Sequence, residues 1–397
     1  MIVEQEYKKY TKWLDNPNFL KKNSEFLFFT RNSRTTFEQA LKGATDFSAT
    51  EEERNKNLQK AQKLYKSAVK ASIMRFEETI GLSITENTQL IQAFRDRNAV
   101  EVVRLMEIAH QRKPLRYDEN DTYSQYKKGK TYNNTDKRQI LHPATGEKQK
   151  ITRVQLHKAI VEKFFKGKEK PRNGVIVFLA TGGLPGAGKG TALQDAIKDM
   201  MGIETQEKYP EKYYVTVDPD AIKPYLPEYR NKDGTLNGNR VHRESGEIAE
   251  ILRKRALKEG YSVLYDASMR DYPDFRWYNK MVREAREKGY EPKVAFVYDG
   301  GEAWYRNSVI RDRALPADGY LEFMRAYDTF DYLAKECGVH AVMYDNSSRI
   351  PTKDSPTQII MYRDKRMYRN KENLHLVKDF VNFNIFIKSL LQLKKEQ

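Results

Sequence analysis

The chain has 397 residues and a mass of 46.6 kDa, more than one ordinary hydrophobic core accommodates, so two domains are expected, each burying its own core. A single cysteine, Cys337, excludes an intrachain disulfide framework, no apolar run is long enough to span a membrane, and the first residues lack the apolar stretch of a signal peptide. The expectation is a cytoplasmic protein, with delivery into another cell by a dedicated machine left open. Net charge is +16, and it is concentrated in the first part of the chain: residues 1–170 carry 34 Lys or Arg against 22 Asp or Glu, whereas residues 171–397 carry 37 against 33. A basic excess of that kind suits an anionic partner such as nucleic acid, and it suits equally well a face that is merely solvated.

Residues 1–48 alternate aromatic and polar stretches, as in Phe26-Leu27-Phe28-Phe29, and are read as short helices packed across a larger body. Thr50 and Glu53 form a capping box, after which Leu58, Ala61, Leu64, Ala68 and Ala71 recur at helical spacing up to about Ile80, where Gly81 stops the helix. A second helix is expected over 85–109, with a break near Arg97 and with Leu90, Ala93, Phe94, Val102, Leu105 and Met106 on its apolar side. Two long amphipathic helices with a short link predict an antiparallel pair, and so a mainly α-helical first domain over residues 1–170. Within 111–150, Tyr117, Tyr123, Tyr126 and Tyr132 alternate with Lys127, Lys128, Lys130, Lys137 and Arg138. This texture suits base stacking with phosphate neutralisation, and also a solvated surface loop. A small hairpin turned at Thr145-Gly146 is predicted over 139–151, a helix over 153–165, and a charged linker over 166–171.

The second domain, 171–397, opens on the apolar run 175–180, which has the length and β-branching of a buried strand. It leads into Gly183-Leu184-Pro185-Gly186-Ala187-Gly188-Lys189-Gly190-Thr191. The glycines permit a tight turn with inward N–H groups, a helix expected over 189–200 adds its N-terminal dipole, and Lys189 supplies a positive charge to outer phosphates. Gly183, Gly186, Ala187, Gly188, Lys189 and Gly190 are therefore the nucleotide-binding candidates. The hydroxyl comes one place later than in the usual GxxxxGK[ST] pattern, at Thr191; this GKGT ending resembles that of nucleoside monophosphate kinases, and the resemblance implies that Thr191 serves the Mg²⁺ side of a bound ATP. Strand and helix signals then alternate, as an α/β fold with a parallel sheet covered on both faces requires. Strand 213–217 runs into Asp218-Pro219-Asp220, strand 261–265 into Asp266-Ala267-Ser268-Met269-Arg270, and strand 339–344, the last clear one, into Asp345-Asn346-Ser347. Polar residues are thus delivered to one rim, where such folds assemble their sites.

Over about 173–346 the chain resembles the zeta-toxin group of P-loop kinases, whose members phosphorylate small metabolites, typically a UDP-linked amino sugar of bacterial cell walls. The resemblance implies that Asp220, the second carboxylate of its Asp-x-Asp, deprotonates the acceptor hydroxyl. It implies that Asp266 serves the Mg²⁺ or substrate side, that Arg270 sits by the phosphates, and that Arg306, Arg311 and Arg313 belong to an arginine-bearing lid. Asn346 matches a late strand-end motif near the nucleotide base. His242 and Glu244, which open the next helix, and Glu250 further along it are expected on the acceptor side. Two features depart from the group: the GKGT ending, shared with nucleoside monophosphate kinases, and the long basic N-terminal half.

These residues together predict an ATP- and Mg²⁺-dependent kinase acting on a hydroxyl of a small nucleotide-like metabolite, a UDP-amino-sugar or a dinucleotide such as NAD. Two other readings stand beside it. One is a polynucleotide or RNA-end kinase that holds nucleic acid through its first domain; the other is an ATP-gated protein-binding module without catalysis. A neutralising antitoxin or a chaperone is a further expected partner.

Overall fold

The computed structural model describes residues 14–113, 121–127, 138–143, 145–171, 174–204, 206–231, 236–271, 275–310, 315–347, 357–369 and 371–396. The first part is helical. Asn16 caps Pro17–Asn23, Arg31–Ala44 follows, and Glu51–Arg75 starts at the predicted capping box, with the Thr50 and Glu53 side chains each bonded to the other's backbone N–H. That long helix continues into a π-helical turn, Phe76–Ile80, and ends at Gly81 in the left-handed region. The predicted second helix is two, Ile84–Arg95 and Ala99–Arg112, broken where Arg97 takes φ 55°. The pairing differs from expectation. Glu51–Arg75 packs on Arg31–Ala44, while Ile84–Arg95 packs on Ala99–Arg112. The apolar residues after Pro17 supply a nearer partner than the helix across the Gly81 turn does.

Strands β1 (Arg138–Leu141) and β2 (Lys148–Ile151) form the expected antiparallel hairpin, with Gly146 at φ 75° in its turn. The helix Arg153–Phe165 then lies against Pro219–Ile222's neighbour, the long helix His242–Glu259. The main sheet has seven strands: β3 (Val177–Gly182), β4 (Tyr214–Val217), β5 (Ser262–Asp266), β6 (Glu291–Tyr298), β7 (His340–Asp345), β8 (Thr357–Arg363) and β9 (Arg366–Arg369). Their spatial order is β4-β5-β3-β6-β7-β8-β9; the first five are mutually parallel, and β8 and β9 are added antiparallel at one edge. The sheet is therefore mixed, not wholly parallel. β3, with β5 and β6 as its parallel neighbours, is buried at every residue, which explains why it is apolar up to Ala180. On β6, Phe296 packs on Tyr327 and Phe330 of the helix Ala326–Lys335.

A terminal helix, Leu374–Glu396, closes the molecule. Val377, Phe380, Phe383, Ile387 and Leu390 make its buried stripe; Phe383 and Phe380 meet Tyr298 and Tyr327, Phe386 meets Phe94, and Asp379 pairs with Arg97 and accepts from the Tyr298 hydroxyl. Among the described residues, no helix is long and apolar enough to cross a membrane.

Candidate active site

β3 delivers the glycine-rich loop to the carboxyl rim of the sheet, between the ends of β5 and β6. Gly188 stands in the left-handed region ahead of Lys189–Ala192, and a second helical piece, Gln194–Met201, completes the predicted helix after a break at Leu193. At Gly186, φ is +96° and an added Cβ would lie 2.4 Å from the Ala303 carbonyl oxygen, so the loop backbone rests directly on the backbone of residue 303. Gly190 faces open space. Gly186→Ala is therefore expected to weaken ATP binding about tenfold or more, through backbone strain and displacement. Calorimetric titration with ATP–Mg²⁺ checks it, and an unchanged affinity would show that crowding at Gly186 is not what shapes the loop.

Three successive carbonyls of the loop are held by side chains from later in the chain. The Tyr320 hydroxyl donates to Pro185 O (3.3 Å), Arg306 Nε to Gly186 O (2.6 Å) and Asn346 Nδ2 to Ala187 O (2.6 Å). Carbonyl oxygens engaged in this way cannot turn toward an anion, where they would repel it. Arg306 is buried and also donates through Nη1 to Asn346 O at 3.1 Å, while the Asn346 N–H is bonded to Tyr298 O. Both residues thus meet the loop at its carbonyls.

The rim carboxylates come from β4 and β5. Asp218, ending β4, accepts from the Asp220 N–H at 2.7 Å, which starts the short helix Pro219–Ile222. Asp220 is exposed and paired at 2.6 Å with Lys223, whose own side chain is buried. Asp266, ending β5, accepts from Thr181 Oγ1 at 2.6 Å across the β3–β5 register. Burial, and then the charge of Asp266, push the Asp218 carboxyl up to about 6. Among the described residues no group of three or more His, Cys, Asp or Glu gathers to hold a metal. Mg²⁺ commonly needs only one or two carboxylates plus phosphate oxygens, and the mutually repelling Asp218 and Asp266 are hard oxygen donors of that kind. From the sequence, Asp218 is expected to act through folding or Mg²⁺ placement, not as the base, while Thr181 and Tyr320 were overlooked; the polar Thr181 inside an apolar strand was the available signal.

The remaining candidates are spread out. Arg270 follows Met269, which is buried at φ 62°, and lies over the Phe323 ring, 5.1 Å from its centroid. His242 is exposed at the start of its helix. Glu244 is fully buried, bonded to Arg153 through both oxygens (2.6 and 2.5 Å) and to His157 Nε2 (2.7 Å), so it joins two helices and does not reach the rim. Glu250 is half-buried and, with Glu284, brackets the buried Arg253 guanidinium. Arg311, Arg313 and the Thr191 side chain lie outside the described residues. So do Tyr117, Tyr132, Lys128, Lys130 and Lys137. Of the same segment, Tyr126 bonds Glu228 and is covered by Arg153, and Tyr123 is covered by Arg243, so the protein's own arginines occupy both rings.

A mainly parallel α/β sheet with a glycine loop at the rim of its central strand is a kinase-like fold. Residues 161–314 match the zeta toxin family model, so the chain carries a zeta toxin domain over that span, an assignment that supports phosphotransferase activity in general. Among solved structures, one is similar from the PezAT chromosomal toxin–antitoxin system of Streptococcus pneumoniae, at 17% identity over 51% of this chain and 80% of that one (TM-score 0.36). The AvrRxo1-ORF1:-ORF2 structure with ATP is similar at 13% identity over 56% of this chain and 71% of that one (TM-score 0.41). The native AvrRxo1-ORF1:-ORF2 complex is similar at 12% identity over 60% and 84% (TM-score 0.40). No curated protein matches the chain.

Proposed function

We propose that the protein transfers the γ-phosphoryl group of ATP to a hydroxyl of a small nucleotide-like metabolite, a UDP-amino-sugar or a dinucleotide such as NAD. The observation that carries this reading is the convergence, on one rim, of the glycine loop after β3, the Asp218–Asp220 turn after β4 and the Asp266–Arg270 turn after β5. In the reaction the bond from the γ-phosphorus to the β–γ bridging oxygen breaks, a bond from the acceptor oxygen to that phosphorus forms, and ADP leaves. Asp220 takes the acceptor proton and is exposed enough to meet a substrate. Lys189 and Arg270 neutralise charge on the transferring group, with Arg311 and Arg313 assigned to the lid. Asp218, Asp266 and Thr191 would hold Mg²⁺, which screens the phosphate oxygens when bound. His242 is assigned to acceptor contact, and Glu250 to keeping that helix in place through Arg253.

Incubating metabolite extracts with labelled ATP and identifying products by mass spectrometry tests the reading. One phosphorylated species dependent on the protein is expected, and Lys189→Ala should cut its formation by about 10²–10³-fold. ATP binding with no acceptor-dependent turnover across the pool would sink it. A neutralising protein partner is proposed on the zeta toxin match alone.

A further inference from the structure

The helices of residues 17–112 lie before the matched residues 161–314, yet they reach the glycine loop, chiefly through one segment, 302–308. Almost every residue of that segment is committed to one side or the other. Toward the helices, Glu302 takes a bidentate ion pair from Arg95 (2.7 and 3.0 Å), Trp304 Nε1 donates to Asn87 Oδ1 (3.2 Å) and the Tyr305 hydroxyl donates to Glu25 O (3.1 Å). Asn87 Nδ2 donates to Ser308 Oγ (3.3 Å), and Arg75 donates to Ser308 O (3.0 Å) and Asn307 O (3.4 Å). Toward the loop, Ala303 O abuts Gly186 and Arg306 bonds its carbonyl.

We propose that residues 302–308 are a strut by which the N-terminal helices hold the nucleotide loop in its binding shape, with Asn87 and Arg75 as positioning residues that never touch the nucleotide. The inference rests on the ATP-dependent reading above. Asn87 is fully buried and uses both ends of its amide on the strut. A second route runs beside the first: Phe94 packs edge-on against Tyr320, which packs edge-on against Trp304 and donates to Pro185 O. Arg306 belongs to this strut and bears on the loop from its carbonyl side. Close-packed contacts of this kind transmit small shifts instead of absorbing them, and the loop meets the strut backbone to backbone.

The full chain is titrated with ATP–Mg²⁺ by calorimetry, as wild type, Asn87→Ala, Arg75→Gln and Phe37→Leu, alongside amide hydrogen exchange over 183–188 without nucleotide. Phe37 lies in the core of the first helices against Phe29 and Tyr65, away from the strut, and controls for general destabilisation. Asn87→Ala and Arg75→Gln are expected to weaken ATP binding about 5- to 30-fold and to speed exchange in the loop. Phe37→Leu should lower the melting temperature while leaving both readouts unchanged. Unaltered affinity and exchange in the two strut variants would overturn the proposal, as would equal changes in Phe37→Leu. Where Asn87→Ala does not fold, the half-exposed Arg75→Gln decides. Failure of the wild type to bind ATP would overturn the proposed function, and the exchange comparison then settles the strut by itself.

Discussion

Asp220→Asn is expected to slow the chemical step about 10²–10⁴-fold while nearly preserving ATP affinity, because it keeps the side chain's size and removes the proton acceptor. Asp218→Asn tests the neighbouring carboxylate and should behave differently. Asparagine keeps an oxygen for the Asp220 N–H and removes a charge that Asp266 repels. A carboxyl whose pKa rises on folding from 3.8 to about 6 binds its proton more tightly in the folded state, so stability falls as pH rises across that window. Without metal, Asp218→Asn should therefore match or exceed the wild type in melting temperature above pH 6 and lose that pH dependence, while its reaction needs more Mg²⁺. Single-turnover rates at saturating Mg²⁺ decide the roles. Normal turnover by Asp220→Asn, with chemistry abolished in a folded Asp218→Asn, would reverse the assignment.

The largest effect on stability is expected at Arg153. Its guanidinium is buried between Glu244 and Glu228, at 2.5 and 2.9 Å, and stacks on Tyr126. Arg153→Met leaves two carboxylates without their cation in a dry site, a change that costs about 3–5 kcal/mol, measurable as a shift in the urea midpoint. Glu244→Gln in that background should recover part of the loss, since it removes one of the stranded charges. A loss below about 1 kcal/mol, the range of exposed pairs, would mean that water reaches the cluster. The same cluster sets an acid limit. Burial pushes the Glu244 carboxyl up, but His157 and Arg153 outweigh it and hold the group at about 2. Its contribution is present above the ordinary value of 4.5 and is lost as pH falls from there toward 2. In an acid titration, wild type and Arg153→Met should converge over that range.

The parallel core was legible because each strand is a short apolar run ending in Asp, Gly or Asn, and helix boundaries were legible where a capping box marks a start, as at Thr50, or a glycine marks an end, as at Gly81. The edge hairpin was not. Its turn uses Asp364 and Lys365, both at positive φ, where Asn-Gly would have announced it, and β9 is exposed throughout, so it lacks alternation. The terminal helix carries a regular stripe from Val377 to Leu390 that spacing alone would have found. At the site, the loop and strand-end carboxylates were visible as motifs. The contacts that fix the loop were not, because Asn87, Arg306, Tyr320 and Asn346 are brought together only by tertiary packing. The same is true of Glu244: its helix position suggested the rim, whereas Arg153, from 91 residues earlier, draws it inward.

Arg97 and Asp379, which join the turn after Ile84–Arg95 to the terminal helix, are 282 residues apart in the chain. A ribosome adding about 5–20 residues per second takes roughly 14–56 seconds over that interval. Throughout it, the apolar side of residues 84–112 has been made and its cover is incomplete. The newborn chain thus passes through a long phase in which its nucleotide loop exists but the last piece packed on the loop's supporting helices is absent. Any activity should therefore switch on only once residues 374–396 have left the ribosome, and a factor that holds nascent apolar surface would find a target in that early helical stretch until then.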